Sequence, residues 1–322
     1  MQVLVIVLLF SLHLLSFVIK INNMDNFFED AIKGQQFKNI EELQAFLNKK
    51  VTDHNNASRA DFDGISPDQM RHFLYAPLGA DSPLQINKVD NAAFDRMPFF
   101  RTLETLLQII HREKEIKLTP KGNLPLKVCA EITEHRFWNE ELSDLYKQRK
   151  EEDFQVLHTA KIVAHIGNLT RKANGKLTIT KATAKLLDTH DRNALFRSAF
   201  EIFMLKFNWA YHDLYSSPLV GQSGWAFTFY LLHKYGALPQ KTGFYAEKYL
   251  QAFPVLANGL EPRFSTVEDE LMRAYNTRTF SRYLRWWGFV ERQKSENSHS
   301  ISNLMDDVYR TPIFDAVFSL KM

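Results

Sequence analysis

Along the chain, apolar residues recur mostly at helical spacing, and short alternating stretches that end in turn residues interrupt them. Ile40, Leu43, Phe46, Leu47 and Val51 mark one face of a helix over 38–54. Asp63-Gly64 is a turn signal, and Ser66, Pro67 and Gln69 form a helix start with a capping box. Phe99, Phe100, Leu103, Leu106, Leu107 and Ile110 form a second stripe. The stretch between them, 76–98, has little periodicity and reads as an irregular connection. Phe196, Phe200, Phe203 and Phe207 form the best aromatic stripe in the chain, and its spacing is that of a buried core helix. Trp225 to Leu232 is apolar all round, which predicts a central buried helix, and another helix runs from Phe244 to Phe253 until Pro254 stops it.

The stretch Phe154–Leu187 carries the plan on which the rest is read. An apolar-striped helix ends at Gly167, strand-like runs cover Asn168–Arg171 and Lys176–Thr180, and Ala173-Asn174-Gly175 turns the chain between them. Thr180 caps the next helix. The order is helix, strand, wing, strand, helix. An abbreviated version precedes it, with Ile116 and Leu118 as a short strand and Thr119-Pro120 as a helix start. A third version follows: helices over Glu268–Tyr275 and Arg278–Trp287, a strand at Phe289–Glu291, a polar wing over Arg292–Asn303, a strand at Asp307–Arg310, and Thr311-Pro312 opening a last helix. Gly288 parallels Gly167, and Thr311-Pro312 parallels Thr119-Pro120. The expected fold is mainly α with small β wings, with winged-helix-like units packed around a central helical core. The expected segments are 1–23 (apolar), 24–92 (helical), 93–150, 151–190 and 263–322 (the three units), and 191–262 (the aromatic core).

Composition narrows the classes. Lys+Arg (40) nearly balances Asp+Glu (37), so no general basic coat exists, though a local basic face can. One cysteine, Cys129, excludes a disulfide framework and a multi-thiolate zinc site, and it reads as a small core residue. The charged stretch Lys147–Asp153 reads as a solvated linker whose acidic end caps the next helix. Val3 to Ile19 is nearly all apolar, at the lower edge of a membrane span, but no Lys or Arg precedes it and no small-residue cleavage site follows. Two readings compete: a membrane anchor, or translation from upstream of a true start at Met24. The flanks favour the second, hence a cytoplasmic protein.

Several motifs carry a resemblance. Asn39–Lys50, the Phe62–Met70 run (F-x-G-x-S-P-x-x-M), Leu118–Gly122 (L-T-x-K-G), Lys206–Tyr211 (K-F-N-W-A-Y), Phe244–Tyr249 (F-Y-A-E-K-Y) and Thr279–Glu291 resemble, in this order, a family of uncharacterised bacterial proteins. The likeness covers about residues 38–318. It implies that the chain begins near the Ile40-Glu41-Glu42-Leu43 helix, and it brings no activity. The tail of retroviral-type integrases is a fainter likeness, but about 60 residues cannot hold the three-carboxylate core such enzymes need.

The candidate chemistry is binding. A winged helix reads DNA when the helix before its first strand presents basic and polar side chains to the major groove. In the third unit Phe280, Leu284 and Trp287 fall on one face, with Arg278, Arg282 and Arg285 on another and Ser281 beside them. Arg292 and Lys294 follow, where phosphate contacts are expected. In the second unit the outward residues would be Gln155, His158, Lys161 and His165, a weaker set. Common nucleophile, phosphate-loop, dinucleotide and zinc motifs do not occur, so no catalytic, cofactor or metal residue is expected. The alternative function is a protein-interaction scaffold whose winged-helix-like units only pack. Exposure of Arg278, Arg282 and Arg285 would favour DNA; burial or ion pairing would favour the scaffold.

Overall fold

The computed structural model describes residues 28–138, 150–211, 213–261, 265–295 and 303–321. Residues 1–23 and most of the third unit's wing lie outside them. No described helix is long and apolar enough to cross a membrane.

The protein is mainly α, with small sheets of two and three strands. Helices α1 (Ile40–Asn56) and α2 (Pro67–Tyr75) lead. The capping box at α2 forms as its sequence requires: Ser66 Oγ accepts from the Gln69 amide, and Gln69 Oε1 accepts from the Ser66 amide. The stretch read as irregular holds a strand, β1 (Leu84–Ile86), and a short helix, α3 (Asn91–Asp95). The partner of β1 is β8 (Phe318–Leu320), at the other end of the chain.

The central finding is that two units, not three, share one plan. The first runs α4 (Pro98–Glu113), β2 (Ile116–Lys117), α5 (Leu126–Glu134), α6 (Gln155–Ile166), β3 (Thr170–Ala173) and β4 (Lys176–Ile179). Strand β2, assigned above to an abbreviated unit of its own, pairs with β4, so one sheet of order β2-β4-β3 spans both segments. Helices α7 (Lys181–Asp188) and α8 (Arg192–Leu205) follow. The second unit repeats the order: α9 (Trp225–Tyr235), β5 (Gln240–Lys241), α10 (Thr242–Ala252), α11 (Val267–Asn276), then β6 (Val290–Gln293) and β7 (Asp307–Arg310) in a sheet of order β5-β7-β6. Thus the segment read as an aromatic core supplies this unit's first helix and strand. Helix α11 does not stop before Arg278. It continues through a π-helical stretch, Thr277–Tyr283, into α12 (Leu284–Trp286). Helix α13 (Pro312–Val317) completes the series, capped by Thr311.

Backbone hydrogen bonds fix the correspondence between the units. The Leu169 amide donates to Ala164 O (2.8 Å) and the Phe289 amide to Leu284 O (2.9 Å). Thr180 and Thr311 then donate back to Leu169 O and Phe289 O. The partner of Gly288 (φ +74°) is therefore Asn168 (φ +54°), one residue past Gly167, and the partner of Thr311 is Thr180. Thr119-Pro120 opens a turn, not a helix: α5 begins at Leu126, and the Thr119 hydroxyl accepts from the Asn123 amide. Gly167 is needed for a different reason, since a Cβ there would lie 2.1 Å from Ile202 Cδ1.

Helix α8 lies between the units. Its Phe196 meets Phe94 and Phe100, Phe203 meets Phe99 and Tyr283, and Phe200 meets Trp225, Phe229 and Phe318. Trp287, wholly buried, packs on Phe99, Phe196, Phe200 and Phe203 at once. This aromatic block, with α9 buried all round through Leu232, is the core that the stripes predict.

Candidate nucleic-acid interface

The residues singled out in the second unit do not form one outward basic face. Arg278 is 0% exposed. Its guanidinium binds Asp213 through both branches (2.7 and 2.9 Å) and donates to Ser217 O and Val220 O. The helical stripe placed it correctly opposite Phe280 but gave no sign that the 213–220 loop covers that side. Arg292 is committed as well. It binds buried Asp306 through Nε and Nη2 and donates to Ser281 Oγ at 2.9 Å. Arg282 and Arg285 are half-buried, Arg282 against the Tyr283 hydroxyl. Only Lys294 of the six is exposed. From Leu271 to Val290 no residue is exposed, so this helix cannot enter a groove as it stands.

Arg285 and Arg292 do line a cleft of about 700 Å³ together with Arg96, Phe137, Trp138 and Tyr309. Its acidic member, Glu291, accepts from the Tyr309 hydroxyl at 2.5 Å, which pushes that phenol's pKa up. With Asp306 behind Arg292 and Glu291 at the wall, the cleft has little excess positive charge.

The unbalanced charge sits in the first unit. The 34-residue stretch Phe154–Leu187, counted inclusively, carries Lys161, Arg171, Lys172, Lys176, Lys181 and Lys185 and no Asp or Glu. Every residue from Arg171 to Lys176 is exposed, as are Lys181 and Lys185. Register explains the display. Ile116 and Leu177 are directly paired and point to the core, so the alternate positions Lys117, Arg171, Lys176 and Thr178 face outward together. Asn174 (φ +50°) and Gly175 (φ +71°) make the two-residue turn that closes the hairpin, and both need the left-handed region there. Among the described residues Arg171, Lys172, Lys181 and Lys185 make no ion pair. Lys176 pairs with Glu115 at 2.7 Å, with both side chains nearly half exposed. Such a pair is worth little and yields to a competing anion.

Helix α6 is covered along its length like its counterpart, with no exposed residue from Gln155 to Ile166. Gln155 and His165 are half-buried, and His158 and Lys161 are anchored rather than outward. Both hold Glu151, whose side chain is 0% exposed. The linker reading fails at this residue. Glu151 sits in a single 3-10 turn, Glu151–Asp153, and accepts from His158 Nδ1 (2.6 Å), the Leu124 amide (2.5 Å) and Lys161. Burial alone would raise its pKa. The histidine, lysine and amide donors outweigh burial and hold the carboxyl below its ordinary range. On the far side, His158 Nε2 lies 3.1 Å from the Tyr211 hydroxyl. Lys161 also donates to Gly122 O at 3.0 Å, and Lys172 Nζ lies over the same glycine. The cluster is therefore continuous with the basic hairpin. No group of three or more His, Cys, Asp or Glu suited to a metal occurs among the described residues.

Residues 95–192 match the family model described as the Y4jL N-terminal domain. The match covers just under a third of the chain and coincides with the first unit and its following helix. No curated protein and no solved structure matches the chain.

Proposed function

We propose that the protein binds double-stranded DNA through phosphate contacts made by the exposed hairpin of the first unit, which acts as the wing of a winged helix. The carrying observation is the outward face of Lys117, Arg171 and Lys176, with Lys172, Lys181 and Lys185 around it; all but Lys117 belong to the stretch Phe154–Leu187, which has no acidic residue, and Glu115 beside Lys176 is the acid on this face. Phosphate contacts position a protein on a duplex and carry no sequence information of their own. Both helices that would read bases are covered, so the binding is sequence-tolerant. This reading moves the interface from Arg278, Ser281, Arg282, Arg285, Arg292 and Lys294 to the first unit.

Salt-titrated binding to mixed-sequence duplex tests it. Replacing Arg171, Lys172 and Lys176 by Gln should weaken binding of all sequences alike and flatten the plot of log K against log salt by about 3, close to one unit per lost contact. Wild-type protein that shows no salt-sensitive binding at low salt would overturn the proposal.

One observation supports a second reading, the protein-interaction scaffold: the helix before each hairpin is packed within the molecule. If the scaffold reading is right, duplex DNA does not bind and the Gln variants behave as wild type.

A further inference from the structure

Two side chains of the first unit, Glu151 and His158, and Tyr211 beyond helix α8 form a connected hydrogen-bonded path with one end at the surface. Glu151 is fully enclosed, and Lys161 and the Leu124 amide already occupy it. Its third partner, the imidazole of His158, is therefore oriented by the carboxylate. A carboxylate can only accept, so Nδ1 of His158 carries a proton toward Glu151, and Nε2 is the nitrogen left to act as a base whenever it is unprotonated. The group at Nε2 is the Tyr211 hydroxyl, 3.1 Å away. The two rings lie nearly parallel (19°) with centroids 5.9 Å apart, and Tyr211 rests edge-on against Phe207. Tyr211 is 36% exposed, whereas Glu151 is not exposed at all. The order from surface to interior is thus hydroxyl, base, orienting acid, which is the arrangement that activates a weak nucleophile.

The surroundings indicate the substrate. Lys161 is one helical turn from His158 and donates to Gly122 O, and Lys172 of the hairpin reaches the same loop. Lys121, 79% exposed, lies beside it. Cations therefore run from the hairpin to Lys161, which shares Glu151 with His158. We propose that Tyr211 is a nucleophile toward a phosphodiester of the bound nucleic acid, with His158 as general base and Glu151 as the residue that positions it. Tyr211 Oη attacks phosphorus and its proton passes to His158 Nε2. The phosphorus–oxygen bond to the leaving deoxyribose oxygen breaks, and His158 returns the proton to that oxygen. The products are a phosphotyrosyl ester and a free sugar hydroxyl. One ester is exchanged for another, so no oxidant, reductant or further reactant is needed.

This inference rests on the DNA reading, so the test separates the two. Full-length protein is incubated with end-labelled oligonucleotides, single-stranded and nicked duplex, and each sample is run on native and denaturing gels. The expected result is a labelled band that survives denaturation, is lost in Tyr211→Phe, and falls at least 100-fold in His158→Gln, with native-gel binding kept in both. Mass spectrometry should place the nucleotide on Tyr211. Glu151→Gln should lower the rate and change its pH profile, which a purely structural acid would not do. Binding without any covalent band, or a band that persists in Tyr211→Phe, overturns the proposal and leaves the DNA reading intact. If duplex does not bind, bis(4-nitrophenyl) phosphate replaces it as a probe that needs no groove. A stoichiometric burst of 4-nitrophenolate that Tyr211→Phe abolishes then supports the relay, and absence of a burst overturns it.

Discussion

Arg278 offers the sharpest test of where basic residues matter. Its side chain is 0% exposed, and that of its partner Asp213 is 4% exposed. Arg278→Met keeps most of the apolar stem and removes the guanidinium. Asp213 would then lose both charge-assisted bonds, and the carbonyls of Ser217 and Val220 would each lose a donor. Removing one member of a buried pair costs about 3–5 kcal/mol, because the remaining charge stays desolvated. Against a usual total of about 5–15 kcal/mol, that is a large fraction. The melting temperature should fall by roughly 6–10 °C, taking about 2 °C per kcal/mol for a chain of this size. Urea titrations of wild type, Arg278→Met, Asp213→Asn and the double variant give the cycle, whose coupling should exceed about 1 kcal/mol. DNA affinity of the folded fraction should not change. A loss below 1 kcal/mol, or normal melting with impaired DNA binding, would refute the argument and return Arg278 to the interface.

Other outcomes follow from single sites. Gly288→Ala should destabilise by about 1–3 kcal/mol, since φ is +74° and the new Cβ would lie 2.7 Å from Arg96 O, whereas Asn168→Gly at the matching position should change thermal stability little. Phe318→Ala should cost about 3–5 kcal/mol in urea titration, because the ring is buried among Phe200, Phe229, Phe289 and Phe314. The lowered pKa of Glu151 means that folding is stabilised above the ordinary glutamate pKa of about 4.3, and that this part is lost as pH falls through the depressed folded value. Stability measured from pH 7 to pH 3 should therefore fall less steeply in Glu151→Gln. Burial first, and the charge of Glu151 second, push the Cys129 thiol up to about 11, so iodoacetamide at pH 8 should label it only as fast as the protein opens.

The parts legible in the sequence are those whose cause is local. The Ser66-Pro67-Gln69 cap, the Asn174-Gly175 turn and the stripe Phe196–Phe207 each depend on residues within one or two turns of one another, and each forms as read. What was not legible depends on distant partners. Strand β1 pairs with β8 more than two hundred residues later, and nothing in Leu84-Gln85-Ile86 specifies that edge. Strand β2 is two residues long, too short for alternation to reveal that Ile116 belongs opposite Leu177. That gap made one unit look like two. Glu151 lay in a run of charges that composition marks as solvated, and only the arrival of Leu124, His158 and Lys161 makes its burial tenable.

The Arg278 misreading has a general cause that also explains why the units differ. Periodicity divides a helix into faces and marks the apolar one as buried, but it does not say whether the polar face is covered too. In the second unit it is covered, and basic residues there meet acids: Arg278 with Asp213 and Arg292 with Asp306 inside the molecule, and Lys241 with Asp307 at the surface. Its strands β6 and β7 carry two acids and two arginines, Glu291 and Asp307 against Arg292 and Arg310. The strands β3 and β4 of the first unit carry Arg171, Lys172 and Lys176 with no acid. A net charge of +3 over the whole chain conceals this division. Long-range attraction to a polyanion depends on the local, uncompensated part of the charge, and among the described strands this favours the first hairpin for the DNA contact proposed above. Reversing its three charges, with Arg171, Lys172 and Lys176 replaced by Glu, should abolish DNA binding while leaving the melt within about 1 kcal/mol of wild type, because exposed charges contribute little to folding.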